Sequence, residues 1–208
     1  MDERRDKALT FVWFFLIAVL LMGCSQDPSL QPLHSGSRIL AFGDSLTEGV
    51  GADDAAAYPA VLSSLTGLEV INAGISGEIS AEGLRRLPTV LDRYEPDLVV
   101  LCHGGNDLLR KMDPALTKAN LAAMIELIRE HGAEVVLISV PEPGIFLSSA
   151  DYYAEVAKAY DVPVEDDILT ELQGDSGMKS DRVHFNAAGY SAMAQAVKRL
   201  MEQNGALP

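Results

Sequence analysis

The sequence predicts an α/β fold with a five-stranded parallel sheet and helices on both of its faces. Three observations lead to this prediction. Short apolar segments alternate with longer segments of helical periodicity, and no internal repeat or low-complexity tract interrupts the alternation. In addition, three apolar segments end next to glycine and to Ser, Asn or Asp. Because open α/β sheets bind ligands at the carboxyl ends of their strands, we expect a functional site where these three ends meet.

The predicted strands are runs of Val, Ile and Leu, a composition typical of strands that are buried on both faces. The first strand stops at Gly43, where glycine permits a sharp turn of the backbone and brings Ser45 to the edge of the sheet. Cys102 closes the third strand, and we expect its free thiol to lie in the core. In chain order, the predicted strands cover residues 39–42, 68–72, 97–102, 134–140 and 162–164.

The predicted helices occupy the intervals between the strands. Ser80 is a candidate N-cap, and Asp113 followed by Pro114 is a second signal for the start of a helix. Gly132 ends the helix that Asp113 begins. The predicted helices cover residues 58–65, 80–94, 113–131 and 150–160, and a last helix follows Asn186.

The amino-terminal segment resembles a bacterial lipoprotein signal. Basic residues precede the uncharged stretch Leu9–Met22, which is short for a membrane span, and Leu21-Met22-Gly23-Cys24 resembles a lipobox whose cysteine becomes lipid-bearing. The alternatives are an uncleaved anchor helix and cleavage without lipidation. We expect a lipoprotein signal peptide at 1–23, a polar, flexible tether at 24–37 and one folded domain at 38–208. Cys24 would then anchor the domain to a bacterial membrane, on the periplasmic face of the cell envelope.

The net charge and the motif content of the sequence disfavour several classes of function. A formal charge of −14 disfavours nucleic acid, because such a surface repels phosphate backbones. No His or Cys pair has the spacing of a zinc site, and Asp44 with Asp107 would not hold a cation. Neither a dinucleotide fingerprint nor a phosphate-binding loop is present. We therefore expect no metal, no cofactor and no nucleic-acid partner. We also expect a monomer.

Ser45 is a candidate nucleophile, although an Asp-Ser pair at this place is also typical of a helix cap. A serine nucleophile needs a base, a group that orients the base and donors for the oxyanion. His184 is the candidate base, because Asp181 lies three residues earlier and can reach the imidazole Nδ1. Gly77 can offer a backbone N–H without an obstructing side chain, and Asn106 can donate through its amide.

These residues lie in four ordered segments: Gly43-Asp44-Ser45-Leu46, Asn72-Ala73-Gly74-Ile75-Ser76-Gly77, Gly104-Gly105-Asn106-Asp107 and Asp181-Arg182-Val183-His184. The segments resemble the sequence blocks of the SGNH, or GDSL, hydrolase family, and in particular compact bacterial arylesterases and the periplasmic acyl-CoA thioesterase and lysophospholipase. The resemblance covers roughly residues 38–202 and implies a flavodoxin-like three-layer α/β/α fold. It also implies that Ser45 is the nucleophile, His184 the base and Asp181 its orienting partner. The Ser45 backbone N–H, Gly77 and Asn106 would form the oxyanion hole.

Phe185 departs from the family pattern, because many members have proline after the histidine. His103, before the glycine pair, is expected to be structural, and the alternative is that it tunes polarity at the mouth of the site.

The long loop at 141–149 contains Ile145, Phe146 and Leu147. These side chains are expected either to form an apolar lip for an acyl chain or to pack under the following helix.

The predicted function is that of a serine hydrolase that cleaves small carboxylic esters or thioesters through an acyl-enzyme intermediate. Arylesterase, thioesterase and lysophospholipase activities all fit this prediction. One alternative is a polysaccharide O-deacetylase that uses the same triad. The other is a non-catalytic envelope lipoprotein that binds a glycan or a lipid, which is disfavoured because every reactive position is filled.

Overall fold

The computed structural model describes residues 30–142 and 148–208. Within these residues, five strands form one sheet in the order β2-β1-β3-β4-β5, and every neighbouring pair is parallel. The predicted five-stranded parallel sheet is therefore confirmed. The predicted signal peptide, Cys24 and the apolar loop residues Ile145, Phe146 and Leu147 lie outside the described residues. The strands are β1 (Arg38–Gly43), β2 (Glu69–Gly74), β3 (Leu98–Cys102), β4 (Glu134–Ile138) and β5 (Val164–Glu165).

Helices connect the strands, as the alternating pattern of the sequence predicts. Short 3₁₀ turns at Asp54–Ala56 and Ser176–Met178 supplement them. No helix in the described part of the chain has both the length and the apolar character needed to cross a membrane. The helices are α1 (Ser45–Glu48), α2 (Tyr58–Thr66), α3 (Ser80–Tyr94), α4 (Gly105–Leu109), α5 (Pro114–Glu130), α6 (Asp151–Tyr160), α7 (Ile168–Gly174) and α8 (Ala187–Gln203).

The sheet is buried between two groups of helices, because α2 packs with α8 whereas α5 packs with both α3 and α6. The central strands β1 and β3 are buried along almost their whole length, as their unbroken apolar sequences predict. Edge strand β2 is only partly buried. The result is a three-layer α/β/α arrangement, and Cys102 lies in its core as expected.

The order of the strands creates the crevice in which a site can form. The chain runs from β1 outward to β2 and then returns to place β3 on the other side of β1, so the topology changes direction beside β1. The register brings the ends of the three strands together, because Gly43 pairs with Gly74 on one side and with Cys102 on the other. The glycine-containing segments that follow these strands therefore meet at one edge.

The segment before β1 differs from the sequence prediction. Residues 24–37 are predicted to form a flexible tether, but residues 30–37 pack against the carboxyl-terminal end of the domain. The Leu30 N–H donates to the Asn204 carbonyl and the Leu33 N–H to the Ala206 carbonyl, both at 2.8 Å. Leu30 is also buried. The prediction of flexibility is wrong for these residues because two leucines in a polar segment find an apolar surface and backbone partners on the domain.

Candidate active site

The segment after β1 holds Ser45 at the edge of the sheet. Only glycine fits at position 43, because a Cβ atom there would lie 2.1 Å from the Cys102 carbonyl oxygen. Asp44 then caps α1 by accepting a hydrogen bond from the Leu46 N–H at 3.2 Å. Asp44 is buried, and this burial raises the pKa of its carboxyl group. Ser45 is the first residue of α1, so the turn that the sequence predicts as a helix cap also presents the serine hydroxyl.

Ser45, His184 and Asp181 form a continuous chain of hydrogen bonds. The Ser45 Oγ lies 3.0 Å from the His184 Nε2, although the two residues are 139 positions apart in the sequence. The His184 Nδ1 lies 2.8 Å from the Asp181 Oδ2. Because an ionised carboxylate can only accept, Nδ1 carries the imidazole proton and Nε2 is left to accept from the serine hydroxyl.

The turn at residues 181–184 holds the aspartate and the histidine in this arrangement. The Asp181 Oδ1 accepts hydrogen bonds from the Val183 N–H at 2.7 Å and the His184 N–H at 2.8 Å. These two backbone donors and the imidazole lower the pKa of Asp181 to about 2, and the N–H of His184 contributes most. The carboxylate is therefore ionised at neutral pH, and its 54% exposed side chain is also partly solvated.

Phe185, the residue that departs from the family pattern, anchors this turn to the core. Its ring is fully buried and packs edge-on against Tyr190, with the ring centroids 5.7 Å apart. The Tyr190 hydroxyl donates to the Val50 carbonyl at 2.7 Å, which ties the helix after the histidine to the loop after the serine. Gly51 in that loop has a φ of +99°, and a Cβ atom there would lie 2.0 Å from the Ser180 Oγ. The loop that follows Ser45 is thus in direct contact with the segment that carries His184.

Donors for an oxyanion come from the other two strand ends. Gly77 has a φ of +79°, and its carbonyl accepts from the Arg110 Nη2 at 2.8 Å. Among the described residues, neither the Gly77 N–H nor the Ser45 N–H donates to a protein acceptor. The Asn106 Nδ2 donates to the Glu78 carbonyl at 3.0 Å and lies 3.4 Å from the Asp44 Oδ2, so one of its two hydrogens is only weakly engaged.

These groups line one cleft of roughly 580 Å³, which is within the usual range for a small-molecule site. Ser45, Gly77, Asn106 and His184 all contribute to its wall. The remaining wall is mainly apolar, and charged side chains lie at some positions. The apolar lining residues include Leu108, Leu109, Val140, Leu169 and Val183, and the charged ones are Asp44, Glu142, Lys179 and Arg182. A cleft of this character can bind an apolar acyl group beside the serine.

The structure thus brings together every site residue that the sequence predicts within the described part of the chain. Arg110, whose guanidinium donates to the Gly77 carbonyl, lies in none of the four sequence segments and has no sequence signal of its own. His103 is fully buried, so its alternative placement at the mouth of the site is wrong. Across residues 30–142 and 148–208, no group of three or more His, Cys, Asp or Glu side chains is arranged to hold a metal ion.

Comparisons with known proteins agree with this geometry. The sequence model of the GDSL-like lipase/acylhydrolase family matches residues 41–192. "Esterase TesA" of Pseudomonas aeruginosa is 40% identical over 61% of the chain, and the match spans 65% of that relative, slightly less than two thirds of its length. "Thioesterase 1/protease 1/lysophospholipase L1" of Escherichia coli (strain K12) is 32% identical over 71% of the chain and 75% of the relative.

Two further matches extend over most of the chain. A solved structure titled "Crystal Structure of TesA" superimposes with a TM-score of 0.74 and 31% identity, covering 81% of this chain and 99% of the other. "Uncharacterized lipoprotein YqeF" of Bacillus subtilis (strain 168) is 26% identical over 82% of the chain and 84% of the relative.

Proposed function

The chain belongs to the GDSL-like lipase/acylhydrolase family, and from this premise we propose that it is a serine hydrolase that cleaves carboxylic esters or thioesters. The observation that supports this proposal most directly is the 3.0 Å contact between the Ser45 Oγ and the His184 Nε2. Asp181 on the far side of the imidazole fixes the tautomer that this reaction needs. The esterase and thioesterase names of its relatives support the same chemistry.

In the proposed mechanism, the Ser45 Oγ attacks the acyl carbonyl while the His184 Nε2 accepts the hydroxyl proton. Asp181 stabilises the imidazolium that forms. The N–H groups of Ser45 and Gly77 and the amide of Asn106 stabilise the oxyanion, because they are already oriented before charge develops. His184 then protonates the departing alcohol or thiol, and a water molecule activated by the same imidazole hydrolyses the acyl-enzyme.

The decisive experiment replaces the nucleophile. We expect Ser45→Ala to lose at least about 10⁴-fold in kcat on p-nitrophenyl butyrate, because no other group in the mechanism forms the acyl bond. A fluorophosphonate probe should label the unmodified protein and not this variant. Ser64→Ala is the matched control, since Ser64 is an exposed helical serine whose hydroxyl donates to the Ala60 carbonyl. Full esterase activity in Ser45→Ala would refute the assignment.

The acyl preference of the enzyme can be measured with a panel of substrates. The apolar wall of the cleft favours acyl groups longer than acetyl, so p-nitrophenyl esters from acetate to palmitate and an acyl-CoA should show kcat/KM rising beyond acetate. A strong preference for acetate, with release of acetate from acetylated polysaccharide, would instead identify a deacetylase.

We also propose that residues 1–23 are removed as a signal peptide and that Cys24 anchors the domain at residues 38–208 to the membrane. The lipobox-like sequence supports this proposal, and so does the similarity to a relative named as a lipoprotein. In a bacterial host, labelled palmitate should be incorporated into the unmodified chain and not into Cys24→Ser. An unmodified chain that is membrane-bound and unlabelled would instead indicate an uncleaved helix.

A further inference from the structure

A buried group of charged and polar side chains lies behind the oxyanion site. Glu78 is 7% exposed, and its carboxylate accepts two hydrogen bonds from Arg86, at 2.6 and 2.9 Å. The His103 Nε2 lies 3.1 Å from the same carboxylate. Although burial opposes its ionisation, the bonds from His103 and Arg86 lower the pKa of Glu78 to about 2. This group, Glu78, Arg86 and His103, is called the buried triad below.

His103 has a fixed role in the buried triad. The Gly104 N–H donates to its Nδ1 at 3.0 Å, so Nδ1 is unprotonated and Nε2 carries the hydrogen that is donated to Glu78. The Tyr153 hydroxyl holds the His103 carbonyl at 2.7 Å. Space for the imidazole comes from Gly83 in α3, where a Cβ atom would lie 2.3 Å from the His103 Nε2. Glycine inside a helix is unfavourable, so the position of this ring is maintained at some cost in helix stability.

The buried triad is connected to the catalytic site through the backbone of Glu78. Glu78 directly follows Gly77, and its carbonyl oxygen accepts from the Asn106 Nδ2 at 3.0 Å. Its side chain is held by His103, which lies between β3 and α4, and by Arg86, which lies in α3. The residue whose side chain is held by His103 and Arg86 is therefore the same residue whose carbonyl orients the Asn106 amide.

We propose that His103 and Arg86 are positioning residues, which hold Glu78 so that its carbonyl aims the Asn106 amide at the oxyanion. This inference rests on the proposed serine hydrolase function. Stability alone does not account for the arrangement, because replacing a buried ionic group by well-packed apolar side chains is often neutral or stabilising. A fixed amide is what catalysis requires, since oxyanion donors act only when they are oriented in advance.

A double-mutant cycle tests the proposal. We expect His103→Leu to lower kcat about tenfold with little change in KM, because a misdirected donor weakens binding of the transition state only. His103→Gln, whose amide can still donate to Glu78, should restore most of the loss. In an Asn106→Ala background, His103→Leu should cost less than about twofold more, since the donor that it positions is already absent.

Losses that multiply in the double variant would overturn the proposal, and so would an increase in KM that accounts for the whole effect of His103→Leu. Arg86→Gln, at the solvent edge of the buried triad, provides the same cycle if His103→Leu does not fold. His131→Leu is the matched control, because this histidine lies at the end of α5 and pairs with Asp92 at 3.3 Å. An active Ser45→Ala would refute the proposed function itself, whereas multiplying losses with an inactive Ser45→Ala refute only this inference.

Discussion

The two halves of the candidate active site are held in different ways. The half that contains His184 is a short turn, in which Asp181 binds its own neighbours Val183 and His184 and remains largely exposed. The half that stabilises the oxyanion depends on contacts between distant elements, such as the bond from Asn106 to the Glu78 carbonyl, 28 positions away. Local hydrogen bonds therefore fix the proton-transfer groups, whereas tertiary packing and buried charge fix the oxyanion donors.

Among the substitutions that compare the two halves, the largest effect is expected from one that keeps the local turn and changes only the position of the proton on His184. In Asp181→Asn, the amide oxygen can still accept from the two backbone N–H groups, so the turn should persist. The amide N–H₂ would donate to the His184 Nδ1, and this contact favours the tautomer that carries its proton on Nε2. A protonated Nε2 cannot accept the proton of the Ser45 hydroxyl. We expect kcat to fall roughly 10³- to 10⁴-fold, measured with p-nitrophenyl butyrate at pH 8.

Asp175→Asn is the control for this change, because Asp175 caps the neighbouring 3₁₀ turn through the Gly177 N–H and does not touch His184. Its kcat should remain within about twofold of the unmodified value, as expected of a surface substitution outside the mechanism. A comparable fall in both variants would mean that the turn, and not the proton on His184, limits the rate.

A smaller loss is expected on the oxyanion side. Asn106→Ala removes one of three proposed donors and should lower kcat by about 10²- to 10³-fold, the usual effect of losing one oxyanion donor. KM should change little, because the amide acts mainly on the transition state. Asn204→Ala, at the far end of α8, provides a matched amide removal outside the site. An unchanged kcat in Asn106→Ala would exclude the amide from the mechanism.

The contrast between the two halves also explains which contacts can be predicted from the sequence and which cannot. The parallel sheet follows from apolar runs such as 39–42 and 97–102, and the three-residue spacing of Asp181 and His184 indicates their contact because the turn is local. The contact of His103 with Glu78 spans 25 positions and has no local pattern, so it becomes visible only when α3 packs on the end of β3. The docking of Leu30 is equally hidden, since it needs the surface that the carboxyl terminus forms.

A substitution of Gly51 tests whether the turn that holds His184 depends on contacts outside that turn. Gly51 has a φ of +99°, and a Cβ atom at this position would lie 2.0 Å from the Ser180 Oγ. Gly51→Ala must therefore displace the segment that bears His184. We expect kcat to fall about tenfold and stability to fall by roughly 1–3 kcal/mol. Gly67→Ala is the matched control, because it has a φ of +70° with no atom within 4 Å. It should lose stability without losing kcat; equal kcat in both variants would mean that the contact with Ser180 has no catalytic effect.

The smallest expected effect is on the free energy of unfolding in acid. This effect isolates the contribution of the Asp181 carboxylate, which is held by local hydrogen bonds. The pKa of Asp181 falls from 3.8 to about 2 on folding, so its contribution to stability is complete above about pH 4 and is lost as the pH falls through about 2. Asp181→Asn lacks this titration. The difference in unfolding free energy between the two proteins, measured with urea at pH 4, 3 and 2, should shrink as the pH falls. Glu78 titrates in the same range in both proteins, so its contribution cancels from the difference. A difference that grows toward pH 2 would mean that the backbone bonds of the turn do not lower the pKa of this carboxyl group.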